Sequence, residues 1–285
     1  MMAPSPGKVT FYRPGRSFPA VSITGRLCEL GCDYCHGHYL EGMIAASTGE
    51  ELYGLALELE GRGARGLLLS GGCDRSGKID FQGFLASVAR IKSRTKLAVN
   101  VHTGLLDTAE EARALVSSGA DCFSVDIVQD PDVIGRRMHL DRGPEDYRRT
   151  LELLFVAGAS RVVPHVCIGI SEVSKFEMAA LHLISRYPVG SVVLLSFLPA
   201  KGTPMFDEAR PSRERVLEVA KQAIRLVDAP VLMGCMRPRG DWELEADLLS
   251  LGVAGMAMPS PRTVRWAEEN GFDVQWREEC CALHR

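Results

Sequence analysis

Eight short apolar runs alternate with eight stretches of helical length along residues 20–270, and this rhythm limits the chain to folds in which helices join parallel strands. The runs at 20–24, 66–70, 96–101, 122–128, 162–168, 191–197, 231–234 and 253–256 are mostly apolar, as strands covered on both faces are. Helices are predicted between them at 50–62, 81–92, 109–117, 145–157, 175–185, 213–227, 243–249 and 261–269. Several carry boundary signals: Thr48 stands where an N-cap belongs, Gly119 follows the third helix, and Pro261 opens the eighth. Eight such units in some 250 residues predict an α/β fold, a (β/α)8 TIM-type barrel. The alternative is a six-unit partial barrel with a C-terminal addition. The barrel would span 20–270, with an N-terminal extension at 1–19 and a short cysteine-containing tail at 271–285. Active-site residues are then expected on the loops that follow the strands.

Composition narrows the chemistry. With 46% hydrophobic and 24% charged residues the chain is a folding one, and its net charge of -3 has none of the basic footprint of a nucleic-acid binder. No window reaches the roughly 18 consecutive apolar residues of a membrane helix, and residues 1–20 contain no signal-peptide core, so a cytoplasmic protein is expected. Nine cysteines are an odd number for a disulfide framework, which turns attention to metal or redox use.

Their spacing supports that. The loop after the first strand reads Cys28-Glu29-Leu30-Gly31-Cys32-Asp33-Tyr34-Cys35, a CxxxCxxC. Three thiolates in one loop are soft anionic ligands suited to an iron–sulfur cluster or to zinc, and the gaps let one loop wrap one face of a cluster. Four-cysteine zinc sites generally pair two CxxC knuckles; with no second knuckle here, the spacing favours a three-cysteine cluster with one open position.

On this motif, with Tyr34 as the aromatic residue before its last cysteine, the chain resembles the radical S-adenosylmethionine (SAM) superfamily. The resemblance implies that Cys28, Cys32 and Cys35 hold a 4Fe-4S cluster whose open iron binds the amino and carboxylate groups of SAM, and that one electron then cleaves SAM to methionine and a 5′-deoxyadenosyl radical. It also implies that Gly71 and Gly72, in Ser70-Gly71-Gly72-Cys73, receive the SAM amino group in place of a GGE-like motif, with Cys73 where an acid is common. The absence of a Cβ allows that close approach. Asn100, His102, Ser124, Asp126 and Gln129, at the ends of the third and fourth strands, read equally well as contacts to the methionine carboxylate and ribose or as satisfied buried polar groups. The stretch from Ile168 to Glu172 is similar to the latter half of the family's adenine-contacting GxIxGxxE region. His165 and Cys167 share a strand face that is either lumen or plain packing.

Later features point to a branch. Leu198-Pro199-Ala200-Lys201-Gly202-Thr203-Pro204 resembles a stretch of the biotin synthase-like branch. Arg237 and Arg239 beside Cys235 suit an anion, or are simply a solvated loop. Free thiols on a frayed tail would be a liability, so Cys280 and Cys281 are expected to fold across the barrel mouth and join Cys73 and Cys235 in a second iron–sulfur cluster, of 4Fe-4S type. The GCMRPRG and ECC segments resemble the two-component lipoyl synthases, and the resemblance reaches over residues 20–260. It implies insertion of one sulfur into an octanoylated carrier protein or peptide from a sacrificial cluster, with a second, related radical SAM protein and a low-potential electron donor as partners. Other readings are a biotin synthase-like sulfurtransferase acting on a free small molecule, a single-cluster radical SAM enzyme of another reaction type, and an electron-transfer or scaffold protein.

Overall fold

The structure, a computed structural model, describes residues 7–285. Its strands are β1 (Lys8–Tyr12), β2 (Ala20–Ser22), β3 (Ile44–Ala45), β4 (Gly66–Ser70), β5 (Ala98–His102), β6 (Cys122–Asp126), β7 (Val162–Ile168), β8 (Val192–Ser196), β9 (Val231–Met233), β10 (Gly255–Ala257) and β11 (Asp273–Arg277). Its helices are α1 (Gly49–Gly61), α2 (Leu85–Arg94), α3 (Ala109–Ser117), α4 (Pro144–Val156), α5 (Lys175–Ile184), α6 (Arg213–Leu226), α7 (Trp242–Leu251) and α8 (Pro261–Glu269). Every expected strand and helix is present, with ends shifted by a few residues. Local chemistry sets the starts: Thr48 Oγ1 accepts Glu51 N at 3.2 Å, Thr108 and Glu111 close a capping box, and Ser260 caps α8 just before Pro261.

All strands pair in parallel in one curled sheet, in the order β11, β1, β10, β9, β8, β7, β6, β5, β4, β2, β3. The sheet does not close, because no ladder joins its edges β11 and β3 among the described residues. The closed (β/α)8 TIM-type barrel is thereby corrected to an open partial barrel. The reason lies in the first unit. β2 has three residues and β3 two, and the chain between them goes into the cysteine loop, leaving too short an edge to seal a barrel. The N-terminal extension is corrected too. Residues 1–6 lie outside the described residues, but β1 sits inside the sheet between β10 and β11, with Phe11 and Tyr12 fully buried.

Strand alternation gives the sheet two faces. Leu67, Leu69, Val99, Val101, Phe123 and Leu194 face outward under the helices, and each fully buried side chain contributes about 1.5–3 kcal/mol. Facing the lumen in paired register are Asn100 and His102 on β5, Cys122, Ser124 and Asp126 on β6, and Val163, His165 and Cys167 on β7. Polar character therefore concentrates toward the C-terminal ends of the strands. No helix among the described residues is long and apolar enough to cross a membrane.

The tail does not fold across the mouth. After β11 it turns into the opposite end of the barrel, where Cys281, Ala282 and Leu283 are buried among Tyr12, Phe18, Cys122 and Val163. Ala282 O accepts from the Cys122 thiol at 3.6 Å, His284 O accepts from Arg161 at 2.7 Å, and His284 Nδ1 lies 2.5 Å from Tyr12 OH. The cause is shape: the strands' N-terminal ends leave an apolar hollow that three small or apolar tail residues fill.

Candidate active site

β2 runs directly into the cysteine loop, and hydrogen bonds from two sides fix that loop. Thr24 Oγ1 donates to Leu27 O at 2.9 Å and accepts from Gly72 N at 2.7 Å, while Glu29 N donates to Cys73 O at 2.8 Å. On the other side Asp33 N donates to Arg137 O at 2.8 Å, and the Asp33 carboxylate meets His139 Nε2 at 2.9 Å. The loop is thus clamped between the end of β4 and a π-helical turn, Val133–Arg137, that follows β6. Gly72 is needed where it stands: a Cβ there would lie 2.0 Å from Leu27 O and 2.6 Å from Cys28 Cβ.

The three loop cysteines pack with Leu30, Leu105, Ile134 and Tyr147 in one apolar pocket. Cys35 beside it and then burial raise the Cys32 thiol, while Cys32, against the opposing effect of burial, lowers Cys35 to about 7. Cys73 packs in this same group. Burial first, then Cys28, Asp126, Asp74 and Cys35, push its thiol up to about 12.

Above the loop and the strand ends lies a cavity of about 460 Å3. Tyr34, Gly71, Cys73, His102, Asp126 and Cys235 line it, and Gln129, His165 and Cys167 also reach it, so the shared face of the last two is lumen. His102 Nε2 stands 3.4 Å from Asp126 Oδ2, and the His102 and His165 rings lie 5.0 Å apart. Burial raises the Asp126 carboxyl, but His102 outweighs it and holds Asp126 below the usual carboxylate range; burial likewise lowers His102, but Asp126 outweighs it and holds the imidazole above its ordinary value. Burial and then His102 lower His165 to about 4, so it stays neutral and Nδ1 donates to Val163 O at 3.0 Å.

Other expected contacts sit elsewhere. Asn100 is buried below the cavity, where its side chain accepts from Ser124 at 3.0 Å and donates to Cys280 Sγ at 3.5 Å. The Ile168 side chain points into the outer core. Glu172 lines a separate cleft of about 410 Å3 with Asp33, Arg137 and Glu208. The acid that holds the β7 loop is Glu177, four per cent exposed, which accepts from Gly169 N at 2.8 Å and pairs with Arg215 at 2.7 Å. Sequence reasoning missed Thr24, His139 and Glu177, since each acts through a partner remote in the chain.

The arginines beside Cys235 are not a free anion site. Arg237 is buried against Glu245 at 2.7 Å and donates to Gly234 O and Ala257 O, while Arg239 donates to Cys235 O and Met258 O. They tie the end of β9 to that of β10. The four cysteines expected to form one second site divide: Cys73 lies with the first loop, whereas Cys235, Cys280 and Cys281 are within electrostatic reach of one another. The neighbouring Cys281, against the opposing effect of burial, lowers Cys280 to about 7.

The radical SAM superfamily model matches residues 22–183, more than half of the chain, from β2 through α5. The chain belongs to the radical SAM superfamily. No curated protein matches it in sequence. In three dimensions it is similar to the FeFe-hydrogenase maturase HydG, with TM-score 0.66 at 15% identity over 94% of this chain, and it spans 64% of the length of that protein. The HydG of Carboxydothermus hydrogenoformans gives TM-score 0.67 at 16% identity, covering 94% of this chain and 67% of that one. Methylornithine synthase, PylB, gives 0.65 at 16% identity, covering 95% and 84%. At these identities the likeness is one of fold. The residues present fit the cluster that membership of the radical SAM superfamily implies: three soft donors lie on one clamped loop, and Gly72 leaves the loop room beside β4. Among the described residues no group of three or more Cys, His, Asp or Glu side chains is arranged to hold a single metal ion.

Proposed function

We propose that this radical SAM enzyme is a sulfur-insertion enzyme of the two-component lipoyl synthase type. It would place one sulfur in an octanoylated carrier protein or peptide, with a related radical SAM protein making the other insertion and a low-potential donor supplying electrons. When bound, the cluster and SAM supply the radical that removes hydrogen from an unactivated C–H bond, and a second iron–sulfur centre supplies the sulfur. The residues of the chain do the rest. Cys28, Cys32 and Cys35 hold the first cluster; Gly71 and Gly72 give SAM backbone access, and Tyr34 walls its side of the cavity. The Asp126 carboxylate, kept ionised by His102, orients the ammonium or ribose hydroxyls of SAM. His165, held neutral, offers an acceptor without adding charge.

One observation carries the sulfur-insertion reading: the tail brings Cys280 and Cys281 inside the barrel within reach of Cys235, beneath the cavity that serves SAM. The set, with Cys281 buried, Cys280 half-buried and Cys235 exposed at the cavity, supports a sulfide donor beside a radical site. Anaerobic iron and sulfide analysis with EPR tests it, on the wild type and on a Cys28, Cys32, Cys35→Ala triple variant. The expected result is about eight irons falling to about four. A wild type with about four irons and a variant with none would replace this reading by a single-cluster radical SAM enzyme.

A further inference from the structure

Four cysteines, not three, surround the first loop, and the backbone holds the fourth in place. Glu29 N donates to Cys73 O at 2.8 Å, so Cys73 lies beside the peptide that follows Cys28. Gly72 packs so closely that an added Cβ would stand 2.6 Å from Cys28 Cβ, and Thr24 clasps Gly72 N at 2.7 Å. Beyond Cys73 the chain is fixed by Asp74, whose Oδ1 accepts from Ser76 N at 2.8 Å, Ser76 Oγ at 2.7 Å and Lys78 N at 3.0 Å. The Cys73 thiol faces the cavity and has no hydrogen-bond partner among the described residues. That sets it apart from Cys32, which donates to Met138 O, from Cys122, which donates to Ala282 O, and from Cys280, which accepts from Asn100.

We infer that Cys73 is a fourth, exchangeable ligand of the cluster held by Cys28, Cys32 and Cys35, closing its open iron when SAM is absent and yielding that iron when SAM binds. The inference rests on the loop being the cluster site. The exchange balances without an electron: the bond from iron to Cys73 Sγ breaks and the sulfur takes up a proton, while SAM, giving up one ammonium proton, forms bonds to the iron through its amino nitrogen and a carboxylate oxygen. The cap would protect the cluster, since a cluster with one thiolate on each of its four irons has no labile position. It also competes with SAM. If it is closed in nine of ten SAM-free molecules, the apparent Kd for SAM is raised about tenfold.

The test compares wild type, Cys73→Ala and Cys73→Ser, each with and without SAM, under mild oxidation with a chelator present. The reference is the Cys28, Cys32, Cys35→Ala variant, whose remaining signal belongs to the second thiol set. Mössbauer spectra should show one distinct iron in SAM-free Cys73→Ala and none in SAM-free wild type, with a distinct iron appearing in wild type on adding SAM. Oxidation should convert the alanine variant to the EPR-active three-iron form while SAM-free wild type resists. The SAM affinity of the alanine variant should rise about tenfold. Circular dichroism checks that the variants are folded, and Cys73→Ser, which keeps the volume but offers a harder donor, should fall between the other two. Equal iron lability in wild type and Cys73→Ala would overturn the inference. If the triple variant keeps every iron signal of the wild type, the cluster reading of the loop itself fails, and that outcome is distinct.

Discussion

At Gly72 one methyl group decides whether the cysteine loop can lie against the end of β4. Its Cβ would overlap Leu27 O at 2.0 Å, a backbone atom that can yield only by moving the loop. Gly72→Ala should therefore lose iron binding at the first site while keeping its far-UV circular dichroism, at a stability cost of about 1–3 kcal/mol for overpacking; iron analysis beside a urea melt measures both. His165 gives a second expectation at this scale. Its folded value is lowered from 6.5 to about 4, so the unfolded chain binds the extra proton between those values. The contribution of His165 is complete above pH 6.5 and is lost as pH falls toward 4. Urea midpoints of the wild type and His165→Gln at pH 7 and pH 5 should show a smaller drop in the variant. The candidate cluster ligands stand out in the sequence because one loop holds three cysteines. Asn100 was not assignable, because an i, i+2 pattern tells which face a residue shares and not how deep it lies: His102 reaches the cavity and Asn100 stops beneath it.

Among elements, β9 and β10 are too short to hold together by their ladder alone, with three residues each. The buried Arg237 and Glu245 side chains bind their ends: Glu245 takes Arg237 on one oxygen and Ser260 N and Thr263 Oγ1 on the other, at 2.8 and 2.5 Å. Removing one partner leaves a buried charge uncompensated. Glu245→Ala should cost about 3–5 kcal/mol in chemical denaturation, whereas Arg265→Ala, on the exposed side of α8, serves as a control. The segment Arg237-Pro238-Arg239 suggested an anion site because sequence reveals charge and not the carboxylate 8 positions away that neutralises it. Three strands escaped notice: β3 is a two-residue edge too short to leave a pattern, while β1 and β11 share another cause. Lys8–Tyr12 lies among prolines and glycines, and Asp273–Arg277 is an edge strand with polar residues outward, so neither carries the buried-strand pattern.

For the whole molecule, the number of repeats was readable and their closure was not. Eight apolar runs count the units, but whether a sheet seals depends on the length of its first and last edges, and β2 and β3 have given theirs to the cysteine loop. The tail shows the same limit: its cysteines announced that something held it, and only the apolar hollow among Tyr12, Phe18 and Val163 determines which end it enters. Deleting residues 280–285 should uncover that hollow, with Leu283 alone worth roughly 1.5–3 kcal/mol, and lower the melting temperature; on the proposed sulfur-insertion reading it should also remove iron from the proposed second site. The contact that seats the tail joins Tyr12 to His284, 272 positions apart. A floor built from such distant residues has a high contact order and sets only after the intervening units have collapsed. Until it does, the thiols of the lumen stand open to water and oxygen, so the order of folding, as much as the finished fold, governs how much of the protein acquires its metal intact.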